Sequence, residues 1–100
     1  MINESVLESS KIILGTIMND NKYLLKAINV LKVDDLYSVK HQSIYETMLR
    51  LYKNNIKFDS IVLINNLKKE INNNEITISE ISDIATRYEY ETFNTHLQIV

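Results

Sequence analysis

Among the side chains able to do chemistry, Asp34 and Asp35 stand out first, because adjacent carboxylates can share a proton or hold a divalent cation. No further ligand lies nearby in sequence, and carboxylates in a turn before a helix more often act as caps. His41 offers a general base. It sits near the start of a helical stretch, on the apolar side, where a histidine is ordinarily buried with a backbone or carboxylate partner. His96 is the only other histidine and there is no cysteine, so the usual zinc-ligand sets cannot be assembled. Lys22 and Lys26, one helical turn apart, suit a solvated face better than a phosphate cradle. Gly15 is the single glycine. Inside a helix it costs about 1 kcal/mol relative to alanine, which either a ligand or the close backbone of a neighbouring helix would offset. One glycine cannot build a phosphate-binding loop, and the sequence has no nucleophile elbow, zinc signature or dinucleotide fingerprint. The chain is not expected to be an enzyme by itself.

Helices have to position these groups. Residues 34–52 form the most amphipathic stretch, with apolar side chains at 41, 44, 45, 48, 49 and 52. That i, i+3, i+4, i+7 spacing predicts a broad buried stripe, and so a central helix on which its neighbours pack. Upstream, Ser5-Val6-Leu7-Glu8 fits a capping box opening a helix to about Met18, which buries Leu7, Ile13, Leu14, Ile17 and Met18. If Gly15 marks a close crossing there, Gly15→Ala should be tolerated or even favourable, and Gly15→Leu should cost about 1–3 kcal/mol. Asn19-Asp20-Asn21 breaks this helix, and residues 21–32 form a second one around Leu24, Ala27, Ile28 and Leu31. Asn54-Asn55 stops the central helix. Ile56–Phe58 is an extended link, and Asp59 caps a fourth helix through about Glu70. After the Asn72-Asn73-Asn74 loop, Thr77 and Glu80 make a second capping box, before a helix with Ile81, Ile84, Ala85 and Tyr88 inward. Beyond a hinge at Glu89-Tyr90-Glu91, Phe93, Leu97 and Val100 begin a last helix. The expected fold is all-α: a compact orthogonal bundle of about six helices in one domain, residues 1–100.

Composition narrows the function classes. The formal charge of −2 lacks the Lys/Arg excess behind strong phosphate-backbone binding, so no direct strong nucleic-acid binding is expected. No apolar run approaches the ~20 residues of a membrane span. The start, Met1-Ile2-Asn3-Glu4, lacks the basic region of a signal peptide, and no cysteine implies no disulfide framework. These features fit a cytoplasmic location. The many Asn residues read as coding bias.

A family resemblance rests on three stretches in order. Asp34-Asp35-Leu36-Tyr37, His41, Ile44-Tyr45, Met48, Leu51 and Asp59 resemble the N-terminal domain of DnaB-type replicative DNA helicases. Ile13-Leu14-Gly15-Thr16-Ile17-Met18 is similar to the apolar-Leu-Gly run of that family's first helix, and Ile99-Val100 to the residues before its linker. The resemblance covers roughly Val6 to Val100. The chain departs from the pattern at Lys40 and Ser10, where Pro and Glu are usual, and at Ile76–Ser79, Thr92 and His96.

The resemblance implies a non-catalytic protein-interaction domain in DNA replication, the collar of a hexameric helicase. It implies other helicase subunits, the primase C-terminal domain and a helicase loader as partners. It also implies no cofactor in this chain, with ATP and Mg belonging to a downstream motor domain. Leu14, Gly15, Asp35, Tyr37, His41, Ile44, Tyr45, Met48 and Asp59 would be its structural residues. The alternatives are a stand-alone phage or plasmid helical protein that binds the host replication machinery, and a helix-turn-helix DNA binder, which the charge disfavours. For the partner surface the sequence offers Tyr88, Tyr90 and Phe93, aromatics crowded at a helix junction beside Glu89 and Glu91.

Overall fold

A computed structural model describes residues 4–100. The elements in order are α1 (Glu4–Asn19), α2 (Lys22–Ala27), a 3-10 turn (Val33–Asp35), α3 (Val39–Lys53), α4 (Ser60–Asn66), α5 (Lys68–Asn72), α6 (Ile78–Ala85) and α7 (Phe93–Ile99). No strand occurs among the described residues. The Cα radius of gyration, 12.3 Å, is close to the ~13 Å of one compact domain of this length.

The hub is α1, not the helix in residues 34–52. It packs against α7, α6, α3 and α2, whereas α3 packs on α1, α4 and the 3-10 turn. The reason lies in side-chain size. Ser9, Ser10, Gly15 and Thr16 are buried along with Ile13, Leu14, Ile17 and Met18. Small residues on the flanks of the apolar stripe let neighbouring helices approach on several sides, so α1 is buried around most of its circumference. Leu7, expected in the core, is only partly buried. The chain is already helical at Glu4, so Ser5 lies inside the first turn rather than at the position that precedes it.

Helix ends are set locally. Ser38 caps α3 by accepting from the His41 N–H, and Asp59 caps α4 by accepting from Val62 N–H at 3.0 Å. Thr77 and Glu80 form a reciprocal box at the start of α6, each satisfying the other's backbone N–H. Asp35 closes the 3-10 turn by accepting from Lys32 N–H at 2.8 Å, while Asp34 is exposed. The next residues alternate in the extended chain: Leu36 is fully buried, and Tyr37, expected to be structural, faces solvent.

Two asparagines do the work that glycine does in most folds. Asn55 and Asn74 both have φ 60°. Each ends a helix with paired bonds, Ile56 N–H to Leu51 O with Asn55 N–H to Tyr52 O, and Glu75 N–H to Glu70 O with Asn74 N–H to Ile71 O. This is the Schellman arrangement, and asparagine is the best non-glycine residue for its left-handed position. The Asn-rich stretches are therefore structural punctuation as well as composition.

Two helices before α6 differ from expectation. The fourth helix is broken at Leu67 (φ −101°, ψ 20°), giving α4 and α5 and seven α-helices among the described residues. The Leu67 side chain is fully buried at the break, and its N–H is shared between the carbonyls of Leu63 and Ile64. α2 stops at Ala27, and turns carry the chain to Leu31. There the Leu31 side chain enters the core and its carbonyl accepts a 2.8 Å bond from the Tyr45 hydroxyl.

Candidate functional site

On one side of α1 a short polar strip receives the connection between α6 and α7. A Cβ on Gly15 would overlap the carbonyl oxygen of Ile84, and Tyr88 N lies 3.4 Å away. Thr16 grips the next residue at both ends: its hydroxyl accepts from Glu89 N–H at 2.8 Å and lies 3.4 Å from Glu89 O. Asn19 donates from Nδ2 to both Gly15 O and Ala85 O, each at 2.8 Å. Asn19 thus satisfies the last carbonyl of α6, while those of Asp83 and Ile84 accept from the Thr86 and Arg87 N–H groups.

That docking fixes the aromatic corner. Phe93 is 1 % exposed, Tyr90 is 41 % and Tyr88 is 50 %. Tyr23 joins them from α2. Its ring meets Phe93 edge-on at 5.0 Å and Tyr90 at 5.2 Å, and Tyr90 meets Tyr88 at 5.5 Å. Lys26 Nζ sits 5.2 Å from the Tyr23 ring centroid, on its face. The result is an aromatic ladder from core to surface, with Glu89 and Glu91 exposed beside it. The roles within it differ from the sequence expectation. α6 ends at Ala85, so Tyr88 leaves the helical stripe and turns outward. Phe93 is the member that anchors in the core, so it cannot present its ring to a partner. Tyr23 was missed because nothing in its own helix signals a ring from the far end of the chain.

The groups with chemical potential lie elsewhere and apart. His41 is buried between α1 and α6, in a cleft of about 80 Å³ shared with Lys11, Lys40, Glu80 and Asp83. Burial holds its pKa below the usual 6.5, Lys11 and Lys40 add to the depression, and Glu80 opposes it. Its Nδ1 has no hydrogen-bond partner in the structure. Lys40 pairs with Glu80 at 2.8 Å and holds that carboxyl below its ordinary value, helped by the Thr77 N–H. His96, on α7, is hydrogen-bonded to Ser9 through Nδ1 at 2.9 Å. Among the described residues no group of three His, Asp or Glu side chains is placed to hold a metal, and no helix is long and apolar enough to cross a membrane.

A neutral buried histidine makes stability pH-dependent in a defined direction. The unfolded chain takes up a proton near pH 6.5 that the folded chain resists, so stability falls as pH drops below about 6.5. His41→Gln removes that contribution. The stability gap between wild type and His41→Gln, measured by urea denaturation, should narrow from pH 7.5 to pH 5.5. Parallel curves would show that His41 titrates normally in the fold.

The molecule is a helical bundle with an exposed aromatic corner fixed on α1 through Thr16 and Asn19. The family model for the N-terminal domain of DnaB-like helicases matches residues 2–100, and the chain belongs to that family. Its fold is similar to the crystal structure of the N-terminal domain of DnaB helicase from Mycobacterium tuberculosis. The TM-score is 0.84 at 16 % identity, over 93 % of this chain and 69 % of that one. Comparison with curated protein sequences gives no match. This is the non-catalytic domain of such helicases.

Proposed function

We propose that this domain works by association, as the collar of a hexameric DnaB-like replicative helicase that docks the primase C-terminal domain or a helicase loader. Strand separation and its ATP and Mg belong to a motor domain of the parent protein, and the domain acts in the cytoplasm. The observation that carries this reading is the half-exposed pair Tyr88 and Tyr90, ring against ring, with Tyr90 packed on Tyr23 over buried Phe93 and the segment held by the Thr16–Glu89 clamp. Rigid aromatics with a solid floor and a charged rim are the kind of anchor on which interface energy concentrates.

Tyr88→Ala and Tyr90→Ala test it directly. Both side chains are half in solvent, so the variants should fold with nearly native thermal stability. At least one should lose about 2 kcal/mol of binding to the cognate primase C-terminal domain, the scale of an interface hot spot. Phe93→Ala is the structural control, expected to unfold. Two folded tyrosine variants that bind normally would move the interface off this corner.

A further inference from the structure

A second surface lies on the other flank of α2. Residues two apart on a helix point about 200° apart, so Leu25 faces away from Tyr23 and the aromatic corner. Leu25 is 50 % exposed, Ile56 is 47 % and Tyr52 is likewise exposed. With Phe58 and the lysines Lys22 and Lys57 they line one hollow of about 280 Å³, which contains no carboxylate. Neither lysine forms an ion pair among the described residues. An adjoining hollow shares Lys22, Lys57 and Phe58 and adds Asp20 and Asp59. Those two carboxylates already accept backbone N–H groups, Lys22 and Val62 respectively, at 3.0 Å.

The hollow is built rather than incidental. Asn21 holds Phe58 at both ends, donating to its carbonyl at 2.9 Å and accepting from its N–H at 2.8 Å. Asn21 also donates to Ile17 O, which ties the link to α1. The left-handed Asn55 aims Ile56 outward at the far lip. The floor, Phe58, is buried. Such a preorganised surface loses little freedom on binding.

We propose that this groove docks an acidic amphipathic segment of a partner protein, one or two apolar side chains entering over Phe58 between Leu25, Tyr52 and Ile56, with flanking carboxylates on Lys22 and Lys57. Charge selects the class. Two lysines without ion pairs, over an apolar floor, complement a carboxylate-bearing peptide. They fall short of the run of phosphate contacts that holds a nucleic acid. A membrane surface calls for more basic residues and more exposed apolar area.

A random dodecapeptide display library panned against the full chain, with the bound peptides mapped by amide chemical shifts, tests the proposal. Enriched peptides should carry large apolar residues flanked by Asp or Glu and perturb residues 21–25 and 52–58. Their affinity should fall about tenfold or more in Leu25→Glu, and again in the double variant Lys22→Glu, Lys57→Glu. These side chains are solvent-exposed, so folded variants are expected, and thermal melts verify it. Tyr90→Ala should leave this binding unchanged, which separates the groove from the aromatic corner. The proposal is overturned if enriched peptides lack acidic residues or ignore the groove variants. A mixed-sequence single-stranded DNA that shifts the same resonances overturns it in favour of nucleic acid. Self-association abolished by Leu25→Glu overturns it in favour of a second copy of the chain.

Discussion

Gly15→Ala is expected to destabilise the domain by about 2–3 kcal/mol, although alanine is the better helix former by about 1 kcal/mol. The added Cβ would overlap the backbone carbonyl of Ile84. A side chain in that place could rotate away, but a carbonyl at the end of α6 moves only with the whole helix. That helix is pinned by Asn19 on Ala85 O and Thr16 on Glu89. Relief of the overlap therefore breaks the neighbouring bonds as well. The sequence expectation, that alanine would be tolerated, is reversed because the neighbouring backbone comes closer than even a methyl group allows. Urea denaturation of wild type, Gly15→Ala and Gly15→Leu should rank stability in that descending order. An alanine variant as stable as wild type would mean that α6 can retreat without loss. The substitution should also loosen the aromatic corner, because the segment it displaces carries Tyr88 and Tyr90.

Tyr45→Ala should lose about 3–5 kcal/mol, enough to consume much of a small domain's stability. The ring is fully buried, and its hydroxyl donates to Leu31 O at 2.8 Å where the chain turns from α2 toward α3. Burial, with the charge of Asp35, pushes that hydroxyl's pKa up to about 12, so it stays a donor throughout the physiological range. Tyr45→Phe keeps the ring and leaves the Leu31 carbonyl unpaired, for a smaller loss of about 1–2 kcal/mol. The two midpoints together divide packing from hydrogen bonding. A Phe variant indistinguishable from wild type would mean that water replaces the hydroxyl.

Features whose cause is local were legible in the sequence. The Thr77–Glu80 box and the Asn54-Asn55 stop depend on residues within one turn of each other, and the structure realises both. The all-helical class followed from apolar spacing, the absence of proline and the presence of only one glycine. Long-range causes were less visible. The amphipathic stretch around His41 looked central because pattern rewards a clean stripe. The true hub, α1, is buried on several sides through small residues whose partners lie some seventy positions away. In the candidate site, the crowding of Tyr88, Tyr90 and Phe93 was visible, but their division between core and surface was not. It depends on α6 ending at Ala85, which extrapolated periodicity does not register. Tyr23 carried no signal at all.

The packing of α1 on α6 and α7 also sets a timetable for folding. On the ribosome α1 emerges before α6 and α7, and its widest faces stay open until those two helices arrive. Its Gly15–Asn19 strip stays unsatisfied until residues 84–89 reach it, and Ser9 waits for His96. Contacts of such sequence separation form slowly, because the loop must close before any of them stabilises the chain. A nascent chain lacking α7 would expose an apolar surface for chaperones to shield. The beginning of the domain is thus the last part to be finished, and folding can reach completion only when its end is available.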